Sequence, residues 1–468
     1  MLTFDVRIWG VRQRPSKSAP FQLRWKVGGE VHQQPFVTSK LADGRRSELI
    51  TAQRNGEQFD TETGVPASEL RELNSPTWFD HSCAYALMKW PKASAKHRSG
   101  IAEALANMMP VLVTTRKGMP NQDVLRLALR TWAFQMTKNE AGQWALRKDV
   151  LDPPEESAQA LDWVAKHSLK VKDLAQSDNL RPALEALSLK LNGKPAANNT
   201  VSRKRTVLSN ALRFAVERDL LTNNPLTKID WDPPQTDDEV DFRYVPGPKL
   251  ARELLDAIAA QGPRGSHLHA FFGCLYYAAM RPSEGADLRQ QDCRLPATGW
   301  GELILAGSRP EVGSGWTDDG KSYEQRGLKR RARRATRSLP IPPALVRLLS
   351  EHIRTHGSAP DGRLFTAVRG GRIRSTEYTE MWQEARRRAL DEADLRTQIA
   401  EVPYSLRHAG VSLWIKVGVD PVEVARRAGH SPAVLWRFYA KVLRGHQQQA
   451  NELISAALEA HIEDPSTS

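Results

Sequence analysis

The period of the apolar positions changes along this chain. Within residues 3–37, apolar and polar side chains alternate: Phe4, Val6 and Ile8 in one run, then Phe21, Leu23, Trp25 and Val27 in another. That is the period of strands with one buried face. Gly28-Gly29 separates Val27 from Val31 as a hairpin turn does. A helix is predicted over 39–54, with Leu41, Leu49 and Ile50 inward. From Trp78 to about Ile229 the pattern turns helical, with segments predicted at 78–90, 95–109, 122–134, 158–166, 180–191 and 201–218. Two stretches break the pattern. Residues 57–76 are polar and read as a linker, and residues 231–246 are acidic and Pro-rich and read as a second one. Beyond them come an apolar helix ending at Met280, two strands (302–306 and 337–341) and three short helices. The expectation is a multidomain fold, mainly α with small β-sheets. Residues 1–56 form a sheet plus helix, 77–230 a helical domain, 247–445 a mixed α+β domain, and 446–468 a tail with a helix at 447–461.

Charge then narrows the class of partner. The 468 residues carry a formal net charge of +13, which points to a polyanion, nucleic acid above all. Basic ribosomal or membrane-surface proteins share that charge. Cys83, Cys274 and Cys293 lack metal-ligand spacing and read as reduced thiols of a cytoplasmic protein. The opening Met1–Arg7 has no apolar signal core, and the longest apolar run, 270–280, is too short for a bilayer. No membrane association is expected. In the first segment Arg7, Arg12, Arg24 and Lys26 interleave with Trp9 and Trp25. Strands laid on DNA would carry that pattern, and so would core tryptophans between solvated arginines. Arg203, Lys204 and Arg205 form a cationic turn on a predicted helix. They suit a phosphate backbone, although a charge run is often a solvated face.

The chemistry gathers near the C-terminus. Tyr404-Ser-Leu-Arg407-His408 starts one helix, Asp420-Pro421-Val422-Glu423 starts a second, and Gly429-His430 ends that second helix. Ser431-Pro432 opens a third helix carrying Tyr439. A guanidinium can grip phosphate oxygens in two parallel bonds, an imidazole can move a proton near neutral pH, and a phenol can become a covalent nucleophile. Upstream, Arg281-Pro282-Ser283-Glu284 follows the apolar helix, so Arg281 sits at a helix break with Glu284 near enough to orient it. The segment from Arg326 to Arg334 holds Lys329, Arg330, Arg331 and Arg333 as well. It suits phosphate contact or a solvated loop. No Gly-rich phosphate loop or Mg²⁺-type carboxylate cluster is evident, so neither cofactor nor metal is expected.

These residues resemble the C-terminal motif of the tyrosine recombinases, the phage integrases: His-x-x-Arg-His, then Gly-His, then a nucleophilic Tyr. Arg407, His408, Gly429-His430 and Tyr439 match, and Tyr404 stands where the family has its first His. The wording is most similar to integrases of actinobacterial mobile elements. The resemblance implies an arm-site DNA module at 1–56, a core-binding domain at 77–230 and a catalytic domain at 247–445. It implies Arg281, Lys329, Tyr404, Arg407, His430 and Tyr439 as catalytic residues, with Lys321 the alternative to Lys329, and Glu284 and His408 in support, His408 packed behind Arg407. Its activity is transesterification through a 3′-phosphotyrosyl link on double-stranded attachment sites. Its partners are a homotetramer in synapsis, docked through the tail, a directionality factor and a host DNA-bending protein. Two other readings share parts of this pattern, a type IB topoisomerase and a DNA-binding regulator on a decayed scaffold.

Overall fold

The structure, a computed structural model, describes residues 1–190, 193–232, 234, 240–327, 336–444 and 451–459 apart from 453 and 457. The chain forms two compact units, Met1–Gln235 and Thr236–Ser468.

In the first unit, Phe21–Val27 is the central strand of an antiparallel sheet. Val6–Ile8 and Arg12–Gln13 pair with one of its edges and Glu30–Phe36 with the other. Gly28 and Gly29 make the turn at φ 55° and 101°, the conformation a two-residue hairpin requires. The apolar set Val6, Leu23, Trp25 and Val27 packs on Leu49 and Ala52 of the helix Ser39–Arg54. Residues 57–76 are not a linker. Phe59–Asp60 pairs with Leu2–Thr3, Phe59 is fully buried in the same core, and Ala67–Leu73 is helical. The polar composition concealed one core aromatic and a backbone acceptor, since the Trp25 indole N–H donates to the Gly64 carbonyl at 2.6 Å.

The predicted helices follow as Trp78–Lys89, Ala95–Met108, Gln122–Ala128, Glu155–His167, Ser177–Leu187 and Asn198–Glu217. Thr77 and Ser94 cap the first two through their hydroxyls. The strand pair Met136–Lys138 and Trp144–Leu146 was not expected; each is three residues long, too short to show a period.

The second unit wraps the helices Pro248–Ala259, Gly262–Tyr277, Pro343–His356, Ser375–Ala389 and Ser405–Lys416 around Phe271, Phe272 and Trp382. A three-stranded antiparallel sheet has Gly301–Leu305 between Arg337–Ile341 and Cys293–Arg294. Gly307–Ser308 pairs with Arg326–Gly327 beside it. Gly410 lets the helix Ser405–Lys416 press on Gly262–Tyr277, because a Cβ there would collide with the Tyr276 carbonyl. The end of the acidic stretch belongs to this unit rather than to a linker. The Val240 amide donates to the Phe438 carbonyl at 3.2 Å, and the Phe242 ring lies 6.0 Å from that of Tyr439. The tail expected at 446–468 lies largely outside the described residues.

Candidate active site

The helix Pro421–Ala428 organises the site through its C-terminal end. Asp420 caps its start by accepting from the amides of Val422 and Glu423. Gly429 ends it in the left-handed conformation, at φ 65°, and the His430 amide reaches back to the Ala425 carbonyl. Two carbonyls at this end face guanidiniums. Arg407 Nη2 donates to Ala428 O at 2.6 Å and Arg281 Nη2 to Gly429 O at 3.0 Å. The negative end of the helix dipole thus helps hold two cations side by side. Arg407 is fully buried and also donates to the Ala279 carbonyl. Ala279 itself adopts φ 44°, a conformation costing a non-glycine residue about 1–3 kcal/mol. The carbonyl it turns toward Arg407 accounts for that strain.

Glu284 is the counterweight. Its Oε1 accepts from Arg281 Nη1 at 2.8 Å and its Oε2 from Arg337 Nη2 at 3.0 Å. Burial pushes this carboxyl up, but Arg337, Arg281 and Arg407 outweigh burial and hold it at about 2. Arg337 escaped the sequence reading. It opens the strand Arg337–Ile341, in which Arg337, Leu339 and Ile341 share the buried face. An arginine in register with two core positions was the available signal. A Cβ on Gly429 would fall on the Arg337 guanidinium, so this glycine is required by packing as well as by φ.

His430 Nε2 lies 2.7 Å from Arg407 Nη2. An arginine only donates, so Nε2 accepts and the neutral ring carries its proton on Nδ1, which is buried and unpartnered among the described residues. Burial, then Arg407 and Arg281, depress this imidazole to about 3. Tyr439 is 1% exposed and sits at a break in the helix Pro432–Arg444, with φ −121° and ψ 16°. Its hydroxyl lies 2.8 Å from His408 Nδ1. Burial pushes the phenol well above its ordinary value. Tyr404 precedes the helix Ser405–Lys416, with its ring edge-on to His408 at 5.1 Å and 5.8 Å from the Arg407 guanidinium carbon. The structure therefore brings Arg281, Glu284, Tyr404, Arg407, His408, His430 and Tyr439 into one cluster and adds Arg337. Contrary to expectation, His408 is tied to the phenol rather than merely packed behind Arg407.

Lys329, Arg330, Arg331, Arg333 and Arg334 lie outside the described residues. Lys321 is exposed and paired with Asp319 at 3.0 Å, and Arg326 is exposed at 3.5 Å from Glu324. In the first unit, Arg7 stands opposite Lys26 across the sheet, and Arg24 leans on the Trp9 ring at 5.3 Å. Arg12 holds Gln22 at 2.8 and 2.6 Å. The two tryptophans thus divide. Trp25 is core, while Trp9 belongs to the cationic face. The turn at 203–205 also divides. Arg203 is exposed and Arg205 lies 4.5 Å from the Trp231 ring. Lys204 is 4% exposed and bound to Leu189 O and Glu103. It is a structural cation, correcting its assignment to DNA, because consecutive residues of one helical turn point to different faces.

Two arginines, a histidine and a tyrosine thus meet around the end of one short helix, the grouping that the resemblance to tyrosine recombinases implies. No family-level sequence profile matches the chain. It is similar to Tyrosine recombinase XerC of Halalkalibacterium halodurans, 25% identical over 253 residues that cover 53% of this chain and 73% of the relative. Among solved structures it is similar to the Tn1549 transposon integrase in complex with a circular intermediate DNA, with TM-score 0.45 and 15% identity over 62% of this chain and 91% of that one. XerH site-specific recombinase bound to difH substrate aligns with TM-score 0.42 and 12% identity, over 78% of this chain and 97% of that one.

Proposed function

We propose that this chain is a site-specific DNA recombinase that integrates or excises a mobile element through a 3′-phosphotyrosyl intermediate. One observation carries the reading. Three guanidiniums gather beside a buried phenol: Arg281 and Arg337 bind the Glu284 carboxylate directly, while Arg407 is held by backbone carbonyls and His430. An excess of buried positive charge is costly unless an anion completes it. A phosphodiester is such an anion, and the Nδ1–H of His430 is an unused donor for one of its oxygens. Tyr439 attacks the scissile phosphorus, and Arg281, Arg407 and His430 stabilise the charge that grows on the non-bridging oxygens. The P–O5′ bond breaks, leaving a 5′-hydroxyl and a DNA strand esterified to the phenol. A 5′-hydroxyl from the partner strand reverses the step. Protonation of the leaving oxygen is assigned to Lys329 by resemblance. The working form is a homotetramer on paired attachment sites, assisted by a directionality factor and a DNA-bending protein.

The test begins with the DNA flanking the gene, searched for a direct repeat that marks the crossover. A nicked suicide duplex of that sequence should give a covalent adduct stable to detergent with the wild-type chain and none with Tyr439→Phe. A wild-type chain that binds this duplex without ever becoming linked to it refutes the enzyme reading. Relaxation of plasmids lacking the sequence favours a topoisomerase.

A further inference from the structure

Deprotonation of the nucleophile has no agent in the mechanism above. A buried phenol cannot attack until its proton has somewhere to go. We propose that His408 accepts the proton of Tyr439 as the phenol attacks, so that the residue directly after the phosphate-gripping arginine is the base of the site. The inference rests on the recombinase reading and deepens it.

The geometry singles out His408 among the groups around the phenol. His408 Nδ1 is 2.8 Å from the Tyr439 hydroxyl, within the range for direct proton transfer. Both side chains are positioned from two directions. The break at Tyr439 turns its ring back toward the helix Ser405–Lys416, and the Tyr404 ring stands edge-on behind the imidazole. The other candidates among the described residues are spent. The one lone pair of neutral His430, on Nε2, accepts from Arg407. The carboxylate oxygens of Glu284 hold Arg281 and Arg337. Tyr404 is itself a phenol and a poor base at neutral pH. His408, by contrast, is held neutral by burial and then by Arg407, at about 4, and in the tautomer with its proton on Nε2 the Nδ1 lone pair faces the phenol hydroxyl.

The step balances. The Oη–H proton passes to Nδ1 as the Oη–P bond forms, and the P–O5′ bond breaks as the leaving oxygen takes a proton from the donor assigned to it. In the rejoining half-reaction the imidazolium returns its proton to Oη, and the incoming 5′-hydroxyl surrenders its own to that donor. A bound phosphodiester supplies negative charge facing the imidazolium, which favours the transfer.

The experiment separates a base from a mere positioning contact. His408→Asn keeps an acceptor near the Nδ1 position but has no basic nitrogen, and His408→Gln lacks one as well. Single-turnover cleavage of the suicide duplex should fall about 10²- to 10³-fold in both, with duplex affinity unchanged. The loss should persist on a duplex whose leaving oxygen is replaced by sulfur, which departs without an acid. Either variant retaining more than a third of the wild-type rate, or either recovering on the sulfur-containing duplex, overturns the assignment. If the wild-type chain forms no adduct at all, the recombinase reading fails with it.

Discussion

The two units both present arginines, yet they do so in opposite ways. In the N-terminal sheet Arg7 and Lys26 are exposed opposite one another and Arg24 lies over Trp9. In the catalytic cluster Arg407 and Arg337 are buried, fixed by carbonyls of a helix end and by Glu284. Solvated cations on a sheet suit many phosphates in succession, and their attraction is screened by salt. Buried cations held before any ligand arrives suit one phosphate in one geometry, where reorganisation would otherwise cost rate. One residue type is thus solvated in one region and fixed in advance by buried partners in the other.

The largest expected effect would break the catalytic side of this contrast. Tyr439→Phe should reduce adduct formation to background while leaving duplex affinity within about twofold, since among the described residues the deleted hydroxyl bonds to His408 and to no cation. Next is Glu284→Gln, which leaves Arg281 and Arg337 without their carboxylate. Loss of one partner from a buried ion pair costs about 3–5 kcal/mol, so urea unfolding of the second unit should shift to much lower midpoints. A wild-type midpoint in that variant would mean that the cluster is not preorganised by charge.

A pH titration sharpens the same point. The Glu284 carboxyl is held at about 2 against an ordinary 4.5. Its folded-state value is the lower one, so its stabilisation is full above pH 4.5 and drains away as pH falls from there toward 2. The total is about 3 kcal/mol. Wild-type chain should lose stability through that window, and Glu284→Gln should show a flatter profile there.

The sheet is tested by salt. Arg7→Ala and Lys26→Ala should each lower affinity for arm-site DNA and reduce the salt slope by about 1, with cleavage on a saturating core duplex unchanged. An unaltered slope would make the sheet face a solvated surface. The smallest effect is expected at the position that departs from the family motif. Tyr404→His should leave cleavage intact, as the replacement retains a polar ring beside His408. Equal cleavage by Tyr404→Phe and wild type would strip Tyr404 of any hydrogen-bonding role.

Local patterning determined much of this protein. The alternation around Phe21–Val27 and the spacing in Ser39–Arg54 marked out the first sheet and its helix, since a period and a cap are properties of neighbouring residues. Asp420, Gly429 and Pro432 marked the junctions at which Arg407, His430 and Tyr439 are delivered. Tertiary structure decided whatever depended on partners distant in the chain. Phe59 and Phe242 lie in stretches of linker-like composition, and a core found elsewhere in the sequence captures each. Lys204 looked solvated until Glu103 and Leu189 enclosed it. Arg337 acquired a role only through Glu284, 53 residues away, and His408 only through Tyr439, 31 residues away. Periodicity reports which side of an element is buried, whereas the charge or proton a buried group meets there is set by three-dimensional proximity.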